Sequence, residues 1–375
     1  MKKIGIVTFH QALNYGAKLQ AYALQQFLEK NGIENDVIDY TCHFMYTRSI
    51  RPIRVGKHHK LKSFIRSLIT MRQVGIDRKK SVTFRNEFLN LSRPFDAKNI
   101  GEASNEYAAF IAGSDQVWSP ICVGFDTVYL LDFAKPKQKY SYAASFAVDK
   151  LPADKEHTYK ELLSQFQLFS VREKSGADII ENLINRKAEI SIDPSLLLTE
   201  DDWDKISRCP VPKEPYIFLF SVRKPIKLIS YALELSKKTG YKIYYLQKER
   251  LHKIDGIEYL DPVNATEFVG LIKNAEYICT NSFHGTAFSV IYKKNFAVEL
   301  QHIGGRNIRA EELLNNLGIN DREITNDVFP NINGAVNWER VDNVLLKERN
   351  KSKEYINKIK ELIPVSYTHL TLPTI

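Results

Sequence analysis

Residues 277–292 read Tyr-Ile-Cys-Thr-Asn-Ser-Phe-His-Gly-Thr-Ala-Phe-Ser-Val-Ile-Tyr. The apolar run Tyr277-Ile278-Cys279 stops at Thr280-Asn281-Ser282. After Gly285 a second apolar run takes helical spacing at Ala287, Val290 and Ile291, so the stretch predicts strand, turn and helix, with the helix over 286–292. His284 then falls in the turn at the strand's C-terminal end. Ligands bind at that edge in open α/β sheets, and the first N–H groups of a helix attract anions. The same residues also read as a helix cap with one hydrogen-bonded histidine. What argues for a ligand site is the crowding of Asn281, Ser282, His284, Gly285 and Thr286 into six positions, since a cap needs only one of them.

Outward from this stretch the alternation continues. Strands are expected at 216–222, 242–246, 277–279 and 295–299, with helices at 226–239, 265–274 and 286–292. The first half has the same character. A strand at 3–8 meets the polar turn around Asn14-Tyr15-Gly16, followed by a helix with apolar positions Leu19, Ala23, Leu24, Phe27 and Leu28, then a strand at 35–40. Further strands are expected at 107–112, running into Gly113-Ser114-Asp115, at 139–145 and at 190–195, and residues 169–173 read as the opening of a helix. Alternation of this kind predicts parallel sheets. Three prolines in six residues, at 210, 212 and 215, predict a linker at 210–215. The fold class is therefore α/β, with two Rossmann-like lobes (1–209 and 216–337), the site in the cleft between them and a C-terminal helix at 338–363. Gly16 is not part of a GxGxxG, so a dinucleotide fingerprint is absent. The last segment, 364–375, carries no charge after a charged helical stretch and resembles translated adapter sequence; it is expected to be a non-native tail.

A hydrophobic content of 44% and a charged content of 26% are those of a globular protein. The four cysteines stand far apart without metal-type spacing, which predicts reduced thiols, no metal site and a cytoplasmic setting. No window approaches the roughly twenty apolar residues of a membrane-spanning helix. The net charge of +9 is concentrated in one place: between Arg48 and Arg93 thirteen basic residues face Asp77 and Glu87, a local net of +11. Within this insertion residues 61–76 predict a basic amphipathic helix with Leu61, Phe64, Ile65, Leu68 and Ile69 on one face. Such a face packs on its own domain or rests peripherally on an anionic membrane, here the inner face of the cell membrane. One short basic block without interleaved aromatics argues against nucleic acid as a partner.

Six segments, in order, resemble the polysaccharide pyruvyl transferase family: Asn14-Tyr15-Gly16-Ala17, Gly113-Ser114-Asp115-Gln116-Val117-Trp118, Ser141-Tyr142-Ala143-Ala144-Ser145-Phe146, Val171-Arg172-Glu173, Asp193-Pro194-Ser195-Leu196-Leu197 and Asn281-Ser282-Phe283-His284-Gly285-Thr286. The resemblance implies a GT-B-like pair of lobes. It also implies transfer of a pyruvyl group from phosphoenolpyruvate, as co-substrate and without a cofactor, to a sugar of a cell-surface polysaccharide or its lipid-linked precursor, forming a pyruvate ketal. By position His284 matches the family's histidine, as general acid or base, and Arg223 resembles its donor-binding arginine. Many members carry an arginine two residues before that histidine, where this chain has Ser282.

The donor's phosphate and carboxylate call for fixed cations, a task suited to arginine. The expected donor side is Arg223, Asn281, Ser282, Gly285 and Thr286, with Arg306 or Arg309 from the next loop supplying a further cation. The expected acceptor side is Asn14, Tyr15, Ser114, Asp115 and Arg172. Trp118 reads equally as core or as a sugar-stacking platform. A nucleotide-sugar-dependent glycosyltransferase on the same architecture, and a non-catalytic glycan-binding relative, are the competing functional readings.

Overall fold

The computed structural model describes residues 3–44, 60–122, 124–211, 213–247, 253–301, 308–325, 329–331 and 333–363. The first sheet has the order β2-β1-β3-β4, from Asn35–Val37, Ile4–Val7, Ala109–Ala112 and Lys139–Ser141, and all its pairings are parallel. Single bridges from Tyr140 to Leu168 and from Ala144 to Val171 extend it towards a small parallel pair, β5 (Ser170–Val171) and β6 (Glu189–Ile190). The second sheet, also wholly parallel, has the order β11-β10-β7-β8-β9, from Asn295–Val298, Tyr277–Thr280, Tyr216–Ser221, Lys242–Gln247 and Ile257–Tyr259. Strands such as Ala-Phe-Ile-Ala (β3) and Tyr-Ile-Phe-Leu-Phe-Ser (β7) are buried along their whole length, the pattern of a sheet with helices on both faces.

Two local expectations change, and one strand was not anticipated. Residues 169–173 do not open a helix: Ser170 and Val171 pair with Glu189 and Ile190, and the helix starts at Lys174 with Glu173 as its cap residue. The strand expected over 190–195 ends at Ile190, and Asp193 caps a one-turn 3-10 helix at Pro194–Leu196. The strand Ile257–Tyr259 carries too little apolar sequence to be read from pattern.

The basic insertion forms one helix, Lys60–Phe88, longer than the 61–76 expected. Its expected apolar face at 61–69 and residues 48–59 lie outside the described side chains and residues. Its C-terminal end is inward-facing. Phe84 is buried beside Tyr22 and Phe88, Lys80 pairs with Glu267 at 2.9 Å, and Glu87 pairs with Arg208 at 3.1 Å. The two lobes also share a core. Leu19, Tyr22, Leu196 and Trp203 from the first lobe pack with Phe218, Phe268, Ala287 and Phe288 from the second, and the Trp203 and Phe288 rings meet edge to face at 4.8 Å.

The Trp338–Leu362 helix starts against the second lobe, through Val341 and Leu345. It ends in the first, where Tyr355, Ile356 and Ile359 join Ile4, Leu24 and Phe27. Midway, Arg349 donates to the carbonyls of Leu196 and Leu198 at 2.8 and 3.1 Å. The expected tail, 364–375, lies outside the described residues.

Candidate active site at the lobe seam

The helix expected to start at 286 runs over Phe283–Ile291, so His284 sits in its first turn rather than before it. The apolar periodicity begins late because the first turn is spent on capping. Ser282 Oγ accepts the Gly285 N–H at 3.3 Å, Thr286 Oγ1 donates to the Ser282 carbonyl at 3.1 Å, and Thr280 Oγ1 accepts the Ser282 N–H at 3.1 Å. A Cβ on Gly285 would stand 2.4 Å from Thr280 Oγ1, so glycine is what lets the helix start this close to β10. Asn281 spans to the next loop, its amide oxygen accepting the Val222 N–H at 2.9 Å and its amide N–H donating to the Arg223 carbonyl at 3.1 Å. Asn281, Ser282, Gly285 and Thr286 thus have structural tasks of their own. His284 is buried, yet among the described residues its Nε2 has no hydrogen-bond partner.

The opposite wall is the start of the Tyr15–Lys30 helix. Asn14 caps it by accepting the Gly16 N–H at 2.9 Å, and Asn14 itself is exposed. The Tyr15 ring lies parallel on Phe268 of the second lobe, with centroids 4.9 Å apart at 8°. Gly16 faces the imidazole directly: a Cβ there would lie 1.9 Å from His284 Nδ1.

A third wall comes from the ends of β3, β5 and β6. Asp115 follows Ser114 in the left-handed region, with φ of 76°, and its Oδ1 lies 3.4 Å from Arg309 Nη1 of the second lobe. A non-glycine residue held in this conformation is a local cost that clusters at functional sites. Arg172 donates to Ser114 Oγ and places Nη2 2.5 Å from Asp193 Oδ2. Asp193 Oδ1 accepts from Ser195 N and Oγ at 2.8 and 2.6 Å, leaving Oδ2 turned towards Arg172 and, at 3.7 Å, towards His284 Nε2. Among the described residues, Arg172 Nε and Nη1 lack hydrogen-bond partners although the residue is buried. Both guanidinium groups lie over the Phe283 ring, that of Arg172 at 5.5 Å and that of Arg309 at 5.6 Å from its centroid, and the ring is edge-on to His284.

The electrostatics follow from burial. Desolvation pushes the His284 pKa below its ordinary value; Asp193 and Asp115 pull it upward, Arg172 and Arg309 push it further down, and the net direction is downward. At neutral pH the imidazole is therefore uncharged. Burial raises the Asp193 carboxyl, but the Arg172 guanidinium, His284 when it is protonated, and the Ser195 hydrogen bonds outweigh it and hold the group below the usual carboxylate range. The seam thus offers one neutral imidazole, one buried carboxylate 3.7 Å from it, and two guanidinium groups from different lobes.

Of the residues singled out in the sequence, Ser114, Asp115, Arg172, His284 and Arg309 meet here. Arg223 stands at the end of β7, joined to the motif through Asn281, and Arg306 lies outside the described residues. Trp118 is core: its indole N–H donates to the Tyr129 carbonyl at 3.0 Å and it is 1% exposed. Asp193, Phe283 and Gly16 were not among the expected site residues. Asp193 carried a signal, an acidic residue before proline at a strand end, but that pattern reads first as a cap.

The sequence profile of polysaccharide pyruvyl transferases matches residues 14–298. The chain belongs to that family. It is therefore a transferase, and the polysaccharide pyruvyl transferase segment contains every wall of the seam except Arg309. No curated protein matches the chain in sequence. Among solved structures it is similar to a UDP-N-acetylglucosamine 2-epimerase described as putative, from Listeria monocytogenes, at 11% identity, with 96% of this chain and 90% of that one covered and a TM-score of 0.50. It is also similar to the Methanocaldococcus jannaschii UDP-GlcNAc 2-epimerase in complex with UDP-GlcNAc and UDP, at 15% identity, with 96% and 99% covered and a TM-score of 0.47. The first likeness, at so low an identity, shows the GT-B-like fold of the chain and nothing about its ligands.

Proposed function

We propose that the protein transfers the pyruvyl group of phosphoenolpyruvate to a sugar of a cell-surface polysaccharide or its lipid-linked precursor, forming a pyruvate ketal. The observation that carries this reading, in a member of this family, is a buried, neutral His284 beside Asp193, with Arg172 and Arg309 both over the Phe283 ring. Two separated guanidinium groups suit a donor with two anionic groups, a phosphate and a carboxylate. Arg223 adds a cation from the β7 loop.

The reaction balances as follows. One sugar hydroxyl adds its oxygen to C2 of the enol phosphate, and a proton adds to the methylene carbon, making it a methyl. A second hydroxyl of the same sugar then adds at C2, the C2–O bond to phosphate breaks, and the second hydroxyl proton leaves with phosphate. A neutral imidazole accepts a hydroxyl proton and, once charged, has one to return. The Asp193 carboxylate stabilises that imidazolium across 3.7 Å. Asp115, freed from Arg309 by a bound anion, orients the sugar hydroxyl.

Among the described residues no helix is long and apolar enough to cross a membrane. The reading places the enzyme in the cytoplasm, with peripheral contact to the anionic inner face of the membrane through 48–93. The test is incubation with phosphoenolpyruvate and a panel of glycan precursors. Phosphate release matched by the mass gain of one ketal on an acceptor supports the reading; transfer from nucleotide sugars in place of phosphoenolpyruvate refutes it.

A further inference from the structure

The loop that carries Arg223 is held by side chains rather than by a backbone ladder. Asn281 takes the Val222 N–H and the Arg223 carbonyl, at 2.9 and 3.1 Å. Gln301 donates to the Lys224 carbonyl at 2.8 Å. Glu299, at the end of β11 and 3% exposed, accepts from three consecutive backbone N–H groups: Ile226 at 3.0 and 3.1 Å, Lys227 at 2.5 Å and Leu228 at 3.0 Å. Those N–H groups open the Leu228–Thr239 helix, whose residue at the capping position, Lys227, makes no side-chain cap. The first N–H groups of a helix lack intrahelical partners and carry the positive end of its dipole, so a buried carboxylate there is stabilised. A ligand phosphate finds the same attraction at such helix ends.

We propose that Glu299 is a positioning residue, an internal anion that occupies this helix end and thereby fixes the loop bearing Arg223. The proposal has two consequences. The Arg223 loop is preformed before any donor arrives, so its ordering is not charged against binding. The Leu228–Thr239 helix end is also closed to a ligand phosphate, and the donor's anions are left to the arginines. The link to the donor rests on the reading of Arg223 given above; the closure of the helix end does not.

The test uses the full chain with Glu299→Ala, Glu299→Gln and Arg223→Ala, and sodium formate as a small carboxylate probe. Removing the charged acceptor of several hydrogen bonds raises the KM for phosphoenolpyruvate about tenfold or more in Glu299→Ala while kcat changes less. Formate then restores KM saturably and raises the thermal midpoint of that variant, because it binds only where the carboxylate was. Formate leaves wild type and Arg223→Ala unchanged. Glu299→Gln, which keeps an acceptor oxygen without the charge, falls between wild type and Glu299→Ala. A Glu299→Ala protein with wild-type KM, or one whose midpoint and KM ignore formate, overturns the proposal. If Glu299→Ala does not fold, Glu299→Gln decides: a raised KM at an unchanged midpoint supports it and an unchanged KM overturns it. A wild-type enzyme inert towards phosphoenolpyruvate refutes the transfer reading instead, and the formate effect on the thermal midpoint still decides whether Glu299 fills the helix end.

Discussion

The Asp193 carboxylate and the His284 imidazole come from opposite lobes and stand 3.7 Å apart, Oδ2 to Nε2. With burial keeping the imidazole uncharged, this geometry supports a base that gains its positive charge during the reaction and finds a carboxylate waiting for it. His284→Ala should lower turnover by ~10²–10⁴ with the thermal midpoint nearly unchanged. A variant that turns over like wild type would remove His284 from the chemistry.

The pH dependence has a definite sign. His284 loses affinity for protons on folding, so kcat/KM should fall on the acid side with a midpoint below the ordinary histidine value of about 6.5. The same shift means that the unfolded chain binds the proton more readily. The stability His284 contributes is present above about pH 6.5 and is lost as pH falls towards the folded value. Arg309→Met removes a group that lowers this pKa and should move the acid limb to higher pH; a pH–rate profile for each protein checks it.

Asp193→Asn should be costly in a different way. It leaves the buried Arg172 guanidinium without its carboxylate, and breaking a buried pair by removing one partner costs about 3–5 kcal/mol. Urea unfolding measures this. Arg309 is half-buried and stands a long 3.4 Å from the buried Asp115, so Arg309→Met should cost less stability than Asp193→Asn while raising the KM for the donor.

Gly16→Ala sets two effects against each other. Alanine is the better helix residue by about 1 kcal/mol, but its Cβ would fall 1.9 Å from His284 Nδ1. Overpacking of that kind costs about 1–3 kcal/mol, and the imidazole is what must move. The expected outcome is a protein that folds, with a displaced His284 and at least a tenfold loss of kcat/KM, read by steady-state kinetics beside a thermal melt.

The lobes, the parallel sheets and the polar turns at strand ends were legible in the sequence because each rests on local periodicity and turn chemistry. The start of the Phe283–Ile291 helix was not, because its first turn is written in capping residues that carry no apolar period. The crowding at Asn281–Thr286 was noticed, but its division of labour was hidden. Spacing alone does not tell that Asn281 reaches the Arg223 loop or that Ser282 and Thr286 close on each other. Asp193 read as a cap, which it is through Oδ1; its other oxygen acquires a role only when a distant lobe brings His284 to it. Likewise Phe283 stands in sequence beside the histidine, while the two arginines over its ring come from separate lobes.

The Trp338–Leu362 helix ends inside the first lobe, covering Ile4, Leu24 and Phe27 with Tyr355, Ile356 and Ile359. During synthesis the first lobe, complete by residue 209, therefore emerges more than a hundred residues before the segment at 338–362 that completes its core. Until then it carries an open apolar wall, the kind of surface that draws chaperones or aggregates. A gene split at the 210–215 linker would leave that wall bare for good. Supplying the last helix alongside it, as a co-expressed peptide or by circular permutation that places 338–363 ahead of residue 3, would cover that wall but not Leu19, Tyr22 and Trp203, which the second lobe covers.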